Sequence, residues 1–316
     1  MTTQTQDVRM PMVQDAATGR NTSPKFDLGR NFSNKLWNAA RFTMSMLRNP
    51  LPEGGGLGVG ELRAADSQLS LIDRWMLSRL ATATKEVNEA IANFEYSNYA
   101  QVMYDLLWRD FCDWYLEAIK PTIASDKAQQ AVLRTTLDCI LRLLHPIMPY
   151  VTEAIYEQVR LLPSASVLGI TLGASRKADL LCTAEWPEVN SSLRDEKTEA
   201  AFERTRSLIT AIREVRSQHA VPPKRRITLH APSSLLDADA KALVQTLAGV
   251  EAITSDAPAP NAVAMAFESS QLHLSNLKDA AAAGDTGAER ERLQKVISDN
   301  EKSIATLEGR LNNPGY

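Results

Sequence analysis

The stretch Gly29-Arg-Asn-Phe-Ser-Asn-Lys-Leu-Trp-Asn-Ala-Ala-Arg-Phe42 sorts its apolar and polar side chains onto two arcs of a helix. At about 100° per residue, Phe32, Leu36, Ala40, Thr43 and Leu47 share one face, which must be the core stripe. The opposite face carries Asn31, Asn34, Lys35, Asn38 and Arg41, with Phe42 in its middle. One ring among amides and cations is poor surface chemistry for solubility but suits an unstacked nucleic-acid base. Amide side chains can read base edges, while Lys and Arg can hold phosphates or base acceptors. The competing reading is that a neighbouring helix covers Phe42.

Outward from this helix, predicted over Asp27 to Leu47 and stopped by Asn49-Pro50, the chain is mostly helical. The residues before it show no sustained period and read as extended. Residues 50 to 64, with Gly54-Gly55-Gly56, read as a flexible linker, because no strand and no Gly-Lys-Ser/Thr helix start frame them as a phosphate loop. Long helices are predicted over Gln68–Phe94, Ser97–Ile119 and Asp126–His145, with a short one to about Arg160. Proline imposes the stops at Lys120-Pro121 and His145-Pro146 by restricting its predecessor and lacking a donor. Such helices with short joints describe an antiparallel bundle. In the third, Asp105, Arg109, Asp113 and Glu117 recur every four residues and predict a charged ladder.

Beyond about Leu162 the texture changes to short strands and helices: a helix over Asp195–Gln218, a strand at Arg226–His230, a helix over Leu235–Leu247, and strands near Ala252, at Val263–Phe267 and at Gln271–Leu274. The last segment repeats Leu293, Ile297, Asn300, Ile304, Leu307 and Leu311 in alternating steps of four and three, a heptad seam with one polar layer.

The formal net charge of the 316 residues is -3, yet the sum hides local fields. Residues 20–48 hold six basic side chains against one acid, and residues 204–226 seven against one. Three dispersed cysteines make neither a disulfide framework nor a zinc site, no apolar run could cross a membrane, and no signal peptide opens the sequence. Four scattered histidines and the absence of Gly-x-Ser-x-Gly, Walker and His-Glu-x-x-His patterns leave no catalytic constellation and no metal site. The sites expected are binding sites.

The block Gly29 to Phe42 closely resembles the opening helix of the anticodon-binding domain of valyl-tRNA synthetases, class I enzymes. Thr5 to Pro11 is similar to the segment leaving their catalytic region. Asp110-Phe-Cys-Asp-Trp-Tyr-Leu-Glu-Ala-Ile-Lys-Pro121 and Leu144 to Tyr156 resemble their bundle helices. Ala211 to Arg216 with Val221-Pro-Pro223 resembles a later linker domain, and Leu311 to Tyr316 the bend of a C-terminal coiled coil. Isoleucyl and leucyl enzymes share the bundle but match the first helix less well.

The resemblance implies a mainly α chain: residues 1–27 as a leading segment at the end of a stem-contact region, 28–162 as the class I anticodon-binding helical bundle, 163–286 as a small α+β domain, and 287–316 as the first helix of a coiled coil. It implies recognition of the valine tRNA anticodon by Lys35, Asn38, Arg41 and Phe42, with Asn31, Asn34 and Lys25 as secondary candidates. Neither ATP-binding signature of class I enzymes is present, so the chain reads as a C-terminal fragment, with ATP and magnesium belonging to a parent's catalytic domain and no cofactor of its own. A cytoplasmic location, no membrane partner and self-association through residues 288–312 complete the expectation. A non-catalytic helical scaffold that binds protein through its heptad seam is the alternative of another class.

Overall fold

The computed structural model describes residues 12–14, 19–48, 62–172 and 180–277, with the helical positions 294, 297, 298, 301, 302 and 304. The fold is mainly α. The chain divides into two compact units, Met1–Thr210 with Leu236–Ala248, and Ala211–Leu235 with Gly249–Tyr316.

In the first unit a two-stranded hairpin, β1 (Val13–Gln14) and β2 (Asn21–Thr22), leads into α1 (Pro24–Arg48). Helix α2 (Leu71–Ala92) starts at a capping box in which the Ser70 hydroxyl accepts from the Asp73 amide and the Asp73 carboxylate accepts from the Ser70 amide. Helix α3 (Tyr96–Tyr104) runs through a π-helical segment, Asp105–Tyr115, into α4 (Leu116–Ile119). Helix α5 (Lys127–Leu144), capped by Asp126, is the centre of the bundle: every residue from Ala131 to Leu144 is buried. Only a core helix covered on all sides shows that pattern. After α6 (Pro149–Val159), the strand β4 (Ala165–Val167) pairs in parallel with β3 (Leu62–Ala64), and β5 (Ile170–Thr171) pairs with β6 (Glu188–Val189). Leu62 to Ala64 are thus a strand, not the end of a linker; residues 50–61 of that expected linker lie outside the described residues.

Two further expectations change. The charged ladder of the third helix survives only in its first rung, Asp105 with Arg109, because π-helical winding bonds each amide five residues back and shifts the later members out of line. Arg109 turns to Asp105 (3.7 Å) and Asp110 (2.9 Å), while Asp113 and Glu117 pair with Lys35 and Lys120. The boundary at residue 162 moves as well: residues up to Thr210 group with the bundle. The reason is aromatic packing by α7 (Glu196–Gln218), whose Phe202 ring lies 4.1 Å from Trp75 and edge-on to Trp114 at 5.9 Å, while Glu199 accepts from the Ser78 hydroxyl at 2.5 Å. Helix α8 (Ala238–Ala248) joins the same unit, with Asp239 accepting from the Leu71 amide at 3.0 Å.

The second unit is built on a four-stranded sheet in the order β8-β7-β10-β9. Strands β7 (Ile227–His230) and β8 (Val250–Thr254) are parallel, and β10 (Ser270–Ser275) runs antiparallel to β7 and to β9 (Val263–Phe267). Ile227 with Leu229 and Leu272 with Leu274 are buried on the two-residue period of a strand. Gly249, at φ +68°, brings its carbonyl to Arg216, and a Cβ there would come within 3.0 Å of the guanidinium.

Candidate nucleic-acid interface

Helix α1 buries the stripe its periodicity predicts: Phe32, Leu36, Ala40, Thr43 and Leu47 are all buried, with Ala39 beside them. Each large apolar side chain so placed contributes roughly 1.5–3 kcal/mol, which anchors the helix and holds its other face outward. On that face Asn31, Asn34, Asn38 and Arg41 are exposed. Their spacing of three, four and three residues keeps them in one row. Among the described residues none of the four has a side-chain hydrogen bond or ion pair, so three amides and a guanidinium stand with their donors and acceptors open. The Lys25 side chain lies outside the described residues.

Lys35 and Phe42 occupy a different position from the one the helical wheel suggests. Both sit on the flank of the row that meets the π-helical segment and its continuation. The Lys35 ammonium donates to Asp113 at 2.7 Å and lies 4.8 Å from the Trp108 ring centre. Trp108 stacks on Tyr104 at 5.5 Å and Tyr104 on Phe32 at 5.6 Å, so Lys35 closes an aromatic ladder. Phe42 is half-buried, with the Lys120 ammonium 5.9 Å from its ring centre. The Lys120 side chain, just past the end of α4, therefore lies over the ring, part of which stays open. Lys35 is a cation already neutralised by a carboxylate, whereas Arg41 has no such partner among the described residues.

Sequence reasoning passed over Trp37, one residue before Asn38. Its indole is 43% exposed, the largest apolar group standing out of α1's polar side. A tryptophan outside the predicted core stripe was the available signal.

Other candidate chemistry dissolves into structure. His145 bonds Thr152 at 2.8 Å, and His230 bonds Ser275 at 2.9 Å. Burial pushes the Cys112 thiol up to about 12 against the pull of Lys35, so it is no nucleophile. Among the described residues no group of three or more His, Cys, Asp or Glu side chains could hold a metal, and no helix is long and apolar enough to cross a membrane. Part of the basic stretch 204–226 serves packing: Arg206 pairs with Glu203 at 2.6 Å and lies over Trp114, and Arg216 donates to the carbonyls of Gly249 and Pro222.

A helical bundle that presents an open row of amides and a guanidinium beside a partly open ring has the make-up of an RNA-loop reader. The family model described as the anticodon-binding domain of tRNA ligase matches residues 73–231, half of the chain, and the chain belongs to that family. Helix α1 precedes the matched range. The chain is also similar to valine–tRNA ligases: 30% identical to that of Thermotoga maritima over 95% of this chain and 32% of the relative, 33% to that of Pseudothermotoga lettingae over 79% and 26%, and 35% to that of Rhodopirellula baltica over 72% and 22%. It spans about a third or less of the length of these relatives.

Proposed function

We propose that this chain binds the anticodon loop of valine tRNA without covalent chemistry, as the C-terminal part of a valine–tRNA ligase. The observation that carries the reading is the open row Asn31, Asn34, Asn38 and Arg41 beside Phe42, on a chain of the anticodon-binding family. Phe42 stacks a base on the uncovered part of its ring. Arg41 holds a phosphate or base acceptor, Asn38 reads a base edge, and Asn31 and Asn34 extend the reading along the row. Lys35 contributes once an RNA anion draws it from Asp113, and Lys25 adds to the basic field. The valine relatives support a valine rather than an isoleucine or leucine anticodon. ATP and magnesium belong, in this reading, to the catalytic region of a full-length synthetase, and the binding takes place in the cytoplasm. The test is a fluorescence titration with valine anticodon stem-loop RNA and with the same stem carrying a scrambled loop. A preference of at least tenfold for the valine loop is expected; equal affinity refutes the reading.

A second proposal concerns residues 288–312, most of which lie outside the described residues. Ile297 and Ile304, one heptad apart, are both more than half exposed. A helix with such a seam is marginal alone and gains by pairing. Self-association through this segment is expected, and light scattering on the full chain and on a version ending at Gly287 checks it. Identical monomer masses would refute it.

A further inference from the structure

Of the five tryptophans, Trp75 is buried against Phe202, Trp186 donates its indole N–H to Asn88 at 2.8 Å, Trp108 lies under Lys35, and Trp114 lies under Arg206. Trp37 is the exception: 43% exposed, and among the described residues without a partner for its N–H or its ring. It is surrounded on α1 by Asn34 three residues before and Arg41 four residues after, which are its neighbours on a helix surface. Five residues separate it from Phe42, about 140° around the helix and about 7.5 Å along it. The open amide row therefore runs between two rings, one on each flank.

We propose that Trp37 is a second nucleobase-stacking residue of this face, taking an unpaired nucleotide of the same RNA loop on the side opposite Phe42. The inference rests on the anticodon-binding reading above. Across a helix about 10–12 Å in diameter the 140° offset adds roughly 10 Å to the axial 7.5 Å, so the rings stand roughly 12 Å apart, about three to four stacked rises of 3.4 Å, and a single loop strand crossing α1 meets both while its base edges pass over the amides. The surroundings choose the occupant. A protein-docking patch would continue the apolar surface around the indole, but here the neighbours are an amide and a guanidinium with no partner among the described residues, in a stretch with six basic side chains against one acid. Those groups complement a polyanion that offers flat rings.

The experiment titrates the full chain, Trp37→Ala and Trp37→Phe with valine anticodon stem-loop RNA at several salt concentrations, alongside the scrambled loop and a thermal melt of each protein. Trp37→Ala is expected to weaken binding by about 5- to 150-fold, the range of one lost base–aromatic stack, with an unchanged salt slope because no phosphate contact is removed. Trp37→Phe should recover most of the affinity. Unchanged affinity in Trp37→Ala, while the native chain still prefers the valine loop, overturns the Trp37 assignment and leaves the anticodon reading in place. A loss accompanied by a shallower salt slope or a lower melting temperature also overturns it. Loss of loop preference in the native chain removes both readings together.

Discussion

Truncating Asp138 to alanine should strip the bundle of its central electrostatic contact. The Asp138 carboxylate sits on α5 between Arg134 at 2.8 Å and Arg142 at 2.9 Å, all three side chains at most 8% exposed. Each guanidinium has a second acceptor, Val159 for Arg134 and Glu185 for Arg142, so the carboxylate holds two cations that are themselves tied to other segments. Removing one member of a buried ion pair leaves uncompensated charge and costs about 3–5 kcal/mol. Asp138→Asn keeps one acceptor oxygen but not the charge, and should cost about 1.5–3 kcal/mol, the range of a hydrogen bond to an ionised group. Urea unfolding followed by tryptophan fluorescence is the assay, since all five tryptophans lie in the first unit and report on it alone. The midpoint should fall by on the order of 1–2 M for the alanine variant with little change in slope. A loss below 1 kcal/mol would refute the reasoning. It would mean that the guanidiniums regain water through the cavity of about 300 Å³ lined by Arg134, Asp138 and Arg160.

Burial raises the pKa of Asp73 above its ordinary value, against hydrogen bonds from Ser70 and Tyr115 that pull it down. The native state then holds more protons than the unfolded chain as pH rises from about 4, so this group's contribution falls through that window. Asp73→Asn removes the penalty, so the stability of the native chain relative to the variant should decline from pH 4 toward neutrality in denaturant titrations; a relative rise would contradict the assignment. Phe94, two residues past the end of α2, sits at φ +59° with 77% of its surface exposed, a conformation that favours glycine. Phe94→Gly should stabilise the bundle by about 0.5–1 kcal/mol, and a destabilised variant would show that the ring has packing worth more than the strain.

What could be read from residues alone was whatever depends on near neighbours along the chain. The core stripe of α1 follows from a period of 3.6, the stop after Ile119 from Pro121, and strand β9 from the apolar run Val263–Phe267, and each stands where its pattern put it. The amide row was legible for the same reason, since one helix holds all its members. Partners far apart in sequence were not. Lys35 meets Asp113 across 78 residues, and no pattern local to either could choose that pair over another. Phe42 became half-covered only because the chain beyond the π-helical segment packs on its flank. That segment itself escaped the periodicity argument, since widened turns shift every later residue without changing composition. Trp37 lay in plain view in the quoted stretch, but exposure is a property of what packs nearby, and only the assembled bundle left its indole bare. Local periodicity carries the elements because backbone geometry is short-ranged; the site's charges and rings were assigned by packing, which is not.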